Sequence, residues 1–324
     1  ARHQAAGHPG SLTMEGGALF IKSTVKQEVD FYTEVAKLDG ETESAIGSSL
    51  LDWLPAFMGT LTEGNLRDAN QVVDPSKEYI VLQNLYHGYT YPSILDIKLG
   101  SKLTDDSKTE ADKIARLQKV SDETTSGSLN FRICGMKLYN GDDHDPSPFF
   151  KGMEQTVHPS MDGSDKYLEF DKIFGRSLTK ENVIVGLDLY FSHYFAKKTN
   201  GDAIILKLLD TFLKRLQLLY NCLLDYEVRI FSGSLLFMYE NDLTRWDLDE
   251  YDSLDPLIRD PVIPIDDDSD DEDEDTSFQA PLSGLNLIDM AHAKFVKGKG
   301  YDENVVQGIE NLIEIFEKLI EKRT

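Results

Sequence analysis

The stretch Pro92-Ser-Ile-Leu-Asp-Ile-Lys-Leu-Gly100 sets the tightest limit on what this chain can build. It reads as an extended segment whose side chains alternate between two faces, so Asp96 and Lys98 emerge side by side from an apolar strand. An isolated Asp-x-Lys pair is ordinarily a surface ion pair of small consequence. This one opens a locally basic region. Between positions 97 and 140 stand Lys98, Lys102, Lys108, Lys113, Arg116, Lys119, Arg132 and Lys137 against six acids, in a chain of net charge -24.

That contrast restricts the partner. A strongly negative protein gains nothing from meeting nucleic acid or an acidic membrane, so direct nucleic-acid binding is not expected and an anionic ligand would need the local basic pocket. If residues 108–120 are helical, Lys113, Arg116 and Lys119 fan across about 120° of surface, a spread suited to several phosphates of one small ligand. No window approaches the ~20 consecutive apolar residues of a membrane helix. Cys134 and Cys222 are too few for a disulfide scaffold and lack metal-ligand spacing, which points to a reducing setting. Nothing in the sequence requires more than a monomer.

A length of 324 residues suggests two lobes around a cleft. Gly16-Gly17 leads into Ala18-Leu-Phe-Ile-Lys22, an apolar strand expected to end on Lys22. A helical stretch then carries Glu28, Phe31, Tyr32 and Val35, and Tyr79-Ile-Val-Leu82 reads as a second strand. From Ile204 to Phe231, Ile205, Leu208, Leu209, Phe212, Leu216, Leu219, Leu223 and Val228 fall close to helical spacing and predict one long core helix. Val305, Val306, Ile309, Leu312, Ile313, Phe316, Leu319 and Ile320 predict a terminal amphipathic helix.

The run Asp266 to Asp275 holds nine acids in ten positions, and self-repulsion predicts disorder there. Patterned chain resumes at Gly284 to His292, which reads as a short buried strand entering a turn. The acidic stretch, about 264–280, is therefore an insertion within a domain, and docking of a basic partner is its alternative role.

Phosphoryl transfer needs a lysine on nucleotide phosphates, a carboxylate to orient it, a metal-binding acid, and positive charge on the acceptor. Lys22, Glu28, Asp289, and Lys98 with its basic neighbours are residues of those types. In Leu287-Ile-Asp-Met-Ala-His292 one carboxylate leaves an apolar strand beside a histidine, a way to hold Mg²⁺ over a nucleotide. The chain has no Gly-x-x-x-x-Gly-Lys-Ser/Thr loop, no Gly-x-Ser-x-Gly elbow, no His-Glu-x-x-His site and no His-Arg-Asp catalytic loop. Any kinase built here uses another signature.

Pro92 to Gly100 resembles the Pro-x-x-x-Asp-x-Lys-x-Gly signature of the inositol phosphate kinase family. Further similar stretches follow in family order: Ala6-Gly-His8, Glu28-Val-Asp-Phe-Tyr32, Thr124 to Lys137, Phe174-Gly-Arg-Ser-Leu-Thr179, Ser234 to Glu240, Ile288-Asp-Met-Ala-His292 and Gly298-Lys-Gly-Tyr-Asp-Glu-Asn304. Within the family, the compact size, the Gly298 to Asn304 stretch and the acidic insertion most resemble fungal multikinases, with the hexakisphosphate kinases sharing several motifs. Two positions depart from the family pattern: Gly233 stands where many members have serine, and Met290 where phenylalanine is usual.

The resemblance implies an α+β, two-lobed fold distantly similar to protein kinases. Residues 1–86 would form a small antiparallel-sheet lobe and 87–324 a larger mixed lobe, with an inositol-phosphate-binding segment near 100–130. It implies an ATP- and Mg²⁺-dependent kinase that takes inositol 1,4,5-trisphosphate and tetrakisphosphate toward pentakisphosphate. A hexakisphosphate kinase is the alternative, and a non-catalytic scaffold for transcription-regulatory proteins is the reading from another class. By the same resemblance Lys22 contacts ATP phosphates, Glu28 orients it, Gln83 and Leu85 read adenine, and Asp96 binds ribose. Lys98 lies beside the transferred phosphate, Asp289 and Ser234 are metal-proximal, and Lys113, Lys119 and His292 are near the inositol. Residence in nucleus and cytoplasm is the corresponding expectation.

Overall fold

A computed structural model describes residues 12–13, 17–40, 44–61, 78–142, 151–160, 166–260 and 278–324. The stretch Ala6-Gly-His8 and the acidic run Asp266 to Asp275 lie outside these residues.

Alternating apolar sequence builds two antiparallel sheets joined by one connection. The smaller contains β1 (Leu12–Thr13), β2 (Leu19–Thr24), β3 (Phe57–Leu61) and β4 (Glu78–Gln83) in the order β1-β2-β4-β3. Lys22 lies inside β2 opposite Ile80, and not at its end, because Ser23 and Thr24 go on pairing with Tyr79 and Glu78. Helix α1 (Lys26–Asp39) follows after Val25 and buries Glu28, Phe31, Tyr32 and Val35 in one stripe.

The larger sheet is built on β5 (Pro92–Leu99), which is buried along its length except at Lys98. Helices α2 (Ala111–Asp122) and α3 (Thr125–Leu129) lead from β5 to β6 (Phe131–Tyr139). β7 (Val157–Pro159) and β8 (Tyr167–Phe170) extend one edge. α4 (Lys172–Ser177), α5 (Val183–Phe195) and α6 (Gly201–Leu224) come next, then β9 (Val228–Ile230), β10 (Ser234–Glu240), α7 (Tyr251–Leu254) and β11 (Ser283–Ile288). β12 (Ala293–Phe295) pairs with β9 as a separate ribbon, and α8 (Glu303–Glu321) closes the chain. The sheet order is β11-β10-β5-β6-β8-β7, so the charged strand β5 sits near the middle with β10 and β6 on either side. Phe191, Phe212, Phe237 and Phe316 pack ring to ring between this sheet and helices α5, α6 and α8.

The long core helix is shorter than its spacing suggests. It ends at Leu224, where Asp225 caps it by donating to Cys222 O. Val228 belongs to β9 and pairs with Phe295. A β-branched residue suits that strand, and its one-turn spacing from Leu224 is coincidental. The terminal helix does carry its expected face, with Val305, Ile309, Leu312, Phe316 and Leu319 buried and Ile313 and Ile320 on the flanks.

The Gly298 to Asn304 stretch is structural. Asn304 Oδ1 accepts the amides of Ser101 (2.8 Å) and Lys102 (3.0 Å), locking the loop after β5 to the start of α8. Gly100 permits this. Its φ is +89° and a Cβ there would come 2.4 Å from Asn304 Nδ2, so only glycine fits the end of the charged strand.

Candidate active site

Between the two sheets lies a cleft of about 610 Å³. Its walls carry Lys22, Glu28 and Gln83 from the small sheet and α1, Leu85 from the connection, and Lys98 from β5. Lys113 of α2 and the turn residues Asp289 and His292 complete the set. These positions are scattered over the whole sequence, and the fold brings them together.

Lys22 Nζ stands 2.9 Å from Glu28 Oε1 and 3.4 Å from Asp289 Oδ1. Glu28 is 1% exposed, and three donors satisfy it: Lys22, the Thr24 hydroxyl, and the Met290 amide at 3.1 Å. Burial pulls the Lys22 ammonium down, but the two carboxylates outweigh it and hold its pKa above the usual lysine value. Asp289 has φ +63°, the left-handed conformation that side chains other than glycine seldom take. Through this bend Met290 turns into the core while the Asp289 side chain stays 41% exposed in the cleft.

Asp96 and Ser234 are buried and do not themselves line the cleft. In the β5–β10 register Ser234 lies opposite Lys98, and Leu236 opposite Asp96. Among the described residues Asp96 Oδ1 and Ser234 Oγ have no hydrogen-bond partner, although the Ser234 hydroxyl is near enough to draw the Asp96 pKa down. Burial is the larger effect and raises the carboxyl to about 6, with Lys98 opposing it. A buried carboxylate oxygen without a donor costs stability. Lys98 Nζ donates to Ser232 O at 2.7 Å.

On the acceptor side, Lys113 and His292 line the cleft. Burial and the nearby Lys113 hold the His292 imidazole below its usual pKa. Lys119 is not brought to the cleft. It points outward from α2 and lies 3.8 Å from Glu123, both exposed. Sequence reading also misses three ties that position this wall. Lys294 pairs with Asp105, Lys108 donates to Gln27 Oε1 (2.9 Å), and Gln27 Nε2 donates to Ala293 O (3.0 Å). They fasten α1 and the loop before α2 to β12, the strand that follows the turn carrying Asp289.

Among the described residues no group of three or more His, Cys, Asp or Glu could hold a metal ion. The exposed carboxylate of Asp289 suits instead a divalent ion that keeps most of its ligands as water and phosphate oxygen, and the Ser234 hydroxyl lies buried behind that wall. The two departures from the family pattern are neighbours. A Cβ at Gly233 would lie 2.5 Å from Ile230 Cγ2 and 3.1 Å from Met290 Cε, so the glycine makes room for the ribbon and for the methionine.

A two-lobed α+β fold with a Lys–Glu pair, an acidic turn and a basic wall around one cleft defines a nucleotide-dependent phosphotransferase for small anionic acceptors. Residues 79–317 match the inositol polyphosphate kinase family, and the chain belongs to it. The inositol polyphosphate multikinase of Saccharomyces cerevisiae is 40% identical across 98% of this chain and 97% of its own. The solved structure of the S. cerevisiae inositol phosphate multikinase in complex with ADP and Mn²⁺ matches with a TM-score of 0.73 and 38% identity, covering 94% of this chain and all of that one. Inositol hexakisphosphate kinase 1 of Mus musculus is more distant, 29% identical over 75% of this chain and 52% of its own.

Proposed function

We propose that this enzyme transfers the γ-phosphate of ATP to inositol 1,4,5-trisphosphate and then to the tetrakisphosphate, toward the pentakisphosphate. The observation that carries this reading is the triangle of Lys22, Glu28 and Asp289 facing Lys98 and Lys113 across one cleft.

In this reading Gln83 and Leu85 meet adenine and Asp96 the ribose. Lys22, steadied by Glu28, holds the nucleotide phosphates. An inositol hydroxyl attacks the γ-phosphate in line while Lys98 neutralises charge that develops on the transferred group. Lys113 and His292 contact the acceptor, with Lys119 further along the same helix. Mg²⁺ bound by Asp289 near Ser234 would neutralise phosphate charge. No strong general base is needed in a loose transition state.

Lysine is a compact point charge, so a basic wall of this kind holds phosphates at several ring positions. Anion-exchange separation of products from inositol trisphosphate and Mg-ATP should show successive tetrakis- and pentakisphosphate peaks. A single product would contradict the multikinase reading.

The enzyme is further proposed to work as a monomer in nucleus and cytoplasm, with transcription-regulatory proteins as partners of its acidic surface. The support for the partners is the nine acids in ten positions at 266–275. Deleting that run should weaken their binding and leave phosphate transfer intact; unaltered binding would remove the idea.

A further inference from the structure

The connection between the sheets is held from outside by two arginines. Residues 84–87 form a turn closed by the His87 amide donating to Asn84 O at 3.1 Å, and Leu85 faces the cleft from it. Arg259 Nη1 donates to Leu85 O at 2.8 Å and its Nη2 to His87 O at 3.2 Å. The guanidinium also lies over the Tyr89 ring, 5.5 Å from its centre. Just beyond, Arg245 donates to Gly88 O at 3.2 Å and pairs with Glu240 at 2.7 Å. Glu240 in turn accepts the amides of Thr90 (2.7 Å) and Tyr91 (2.8 Å).

The two arginines differ in how their charge is met. Arg245 has the buried Glu240 carboxylate. Among the described residues Arg259 has no carboxylate partner, and its buried Nε bonds to nothing. Its fork is used instead on two carbonyls of one turn. Bonding the Leu85 carbonyl from behind fixes the 85–86 peptide plane, and with it the orientation of the residue that lines the cleft.

We propose that Arg259 is a positioning residue for the nucleotide base: held at Leu85 O and His87 O, the turn presents a fixed edge to adenine. The inference rests on the proposed function, which places adenine at Gln83 and Leu85. Arg259 touches no substrate in this account and acts through the turn.

The alternative is that Arg259 only fastens residues 255–260 to the molecule. Other contacts brace the same turn, among them the His87 ring stacked on Phe278 at 5.3 Å, so Arg259→Ala should still fold. Steady-state kinetics of the full-length protein, Arg259→Ala and Arg259→Lys separate the two roles, with ATP, GTP and inositol trisphosphate varied in turn and thermal unfolding followed alongside.

Positioning predicts that Arg259→Ala raises KM for ATP about tenfold, as loss of charge-assisted hydrogen bonds that orient a site would. KM for inositol trisphosphate and kcat at saturating ATP should stay within about twofold, and the preference for ATP over GTP should shrink. Lysine, a point charge that replaces a fork, should restore part of the loss. An unchanged KM for ATP would overturn the proposal, and so would parallel changes in both KM values accompanied by a lowered unfolding temperature. Failure of the unaltered protein to transfer phosphate from ATP would overturn the proposed function itself, and it would show before any variant is compared.

Discussion

Lys22 and Asp289 stand 267 positions apart in sequence and 3.4 Å apart in space. The first belongs to a strand of the small sheet and the second to a turn at the end of β11, so this contact ties the two walls of the cleft. Glu28 is the third corner, 2.9 Å from the same ammonium.

Lys22→Met removes the ammonium and leaves Glu28 with the Thr24 hydroxyl and the Met290 amide. Phosphate transfer should fall at least about a hundredfold, the usual effect of losing a preorganised charge at a transferring group. Circular dichroism should be unchanged. Retention of near-native turnover would remove Lys22 from the nucleotide phosphates.

Asp96, raised to about 6 mainly by burial, binds more protons in the folded than in the unfolded state between ordinary carboxyl pKa values and 6. Its contribution to stability is therefore present at low pH and is lost as pH climbs through about 6. Asp96→Asn cannot ionise, so it should gain about 1–3 kcal/mol over the native protein at pH 7.5 and little at pH 4. It should also bind ATP more weakly. Thermal unfolding at the two pH values checks this, and a stability difference independent of pH would contradict the assignment.

Gly233 is packed against Ile230 and Met290. Gly233→Ala should destabilise by about 1–3 kcal/mol through overpacking, measured by chemical denaturation. Unchanged stability would mean that the β9 ribbon yields to the added methyl.

Arg215 and Asp255 are both buried and 3.3 Å apart, with Asp255 also accepting from the Ser283 amide and the Tyr251 hydroxyl. Asp255→Ala leaves a buried guanidinium without its counter-charge and should cost about 3–5 kcal/mol. Replacing both partners with apolar side chains should recover much of that loss. Additive losses in the double variant would contradict the pairing.

The parts of the fold legible in sequence are those with a local period. β5 shows as alternation around Asp96 and Lys98, and α8 as an apolar stripe from Val305 to Ile320. β3 left no such sign because Gly59, with φ +121°, sits at a register shift that breaks the alternation. Val228 misled because it falls four positions after Leu224, one helical turn on, although the helix ends at Leu224. In the site, Lys22, Glu28 and Asp289 were legible as residue types, and Gln83, Leu85 and Ser234 only through the family resemblance. Lys113 and Lys119 look equivalent in sequence, yet six positions along one helix put the first in the cleft and the second beside Glu123. The Lys294–Asp105 pair and the Arg259 clasp join segments 189 and 174 positions apart, where no local pattern reports the contact.

The most direct test is transfer of labelled γ-phosphate from Mg-ATP to inositol tris-, tetrakis-, pentakis- and hexakisphosphate by the native protein, Lys98→Ala and Asp289→Ala. Turnover of the tris- and tetrakisphosphate that both substitutions abolish is the predicted result. Preference for the hexakisphosphate, or transfer that survives either substitution, would contradict it.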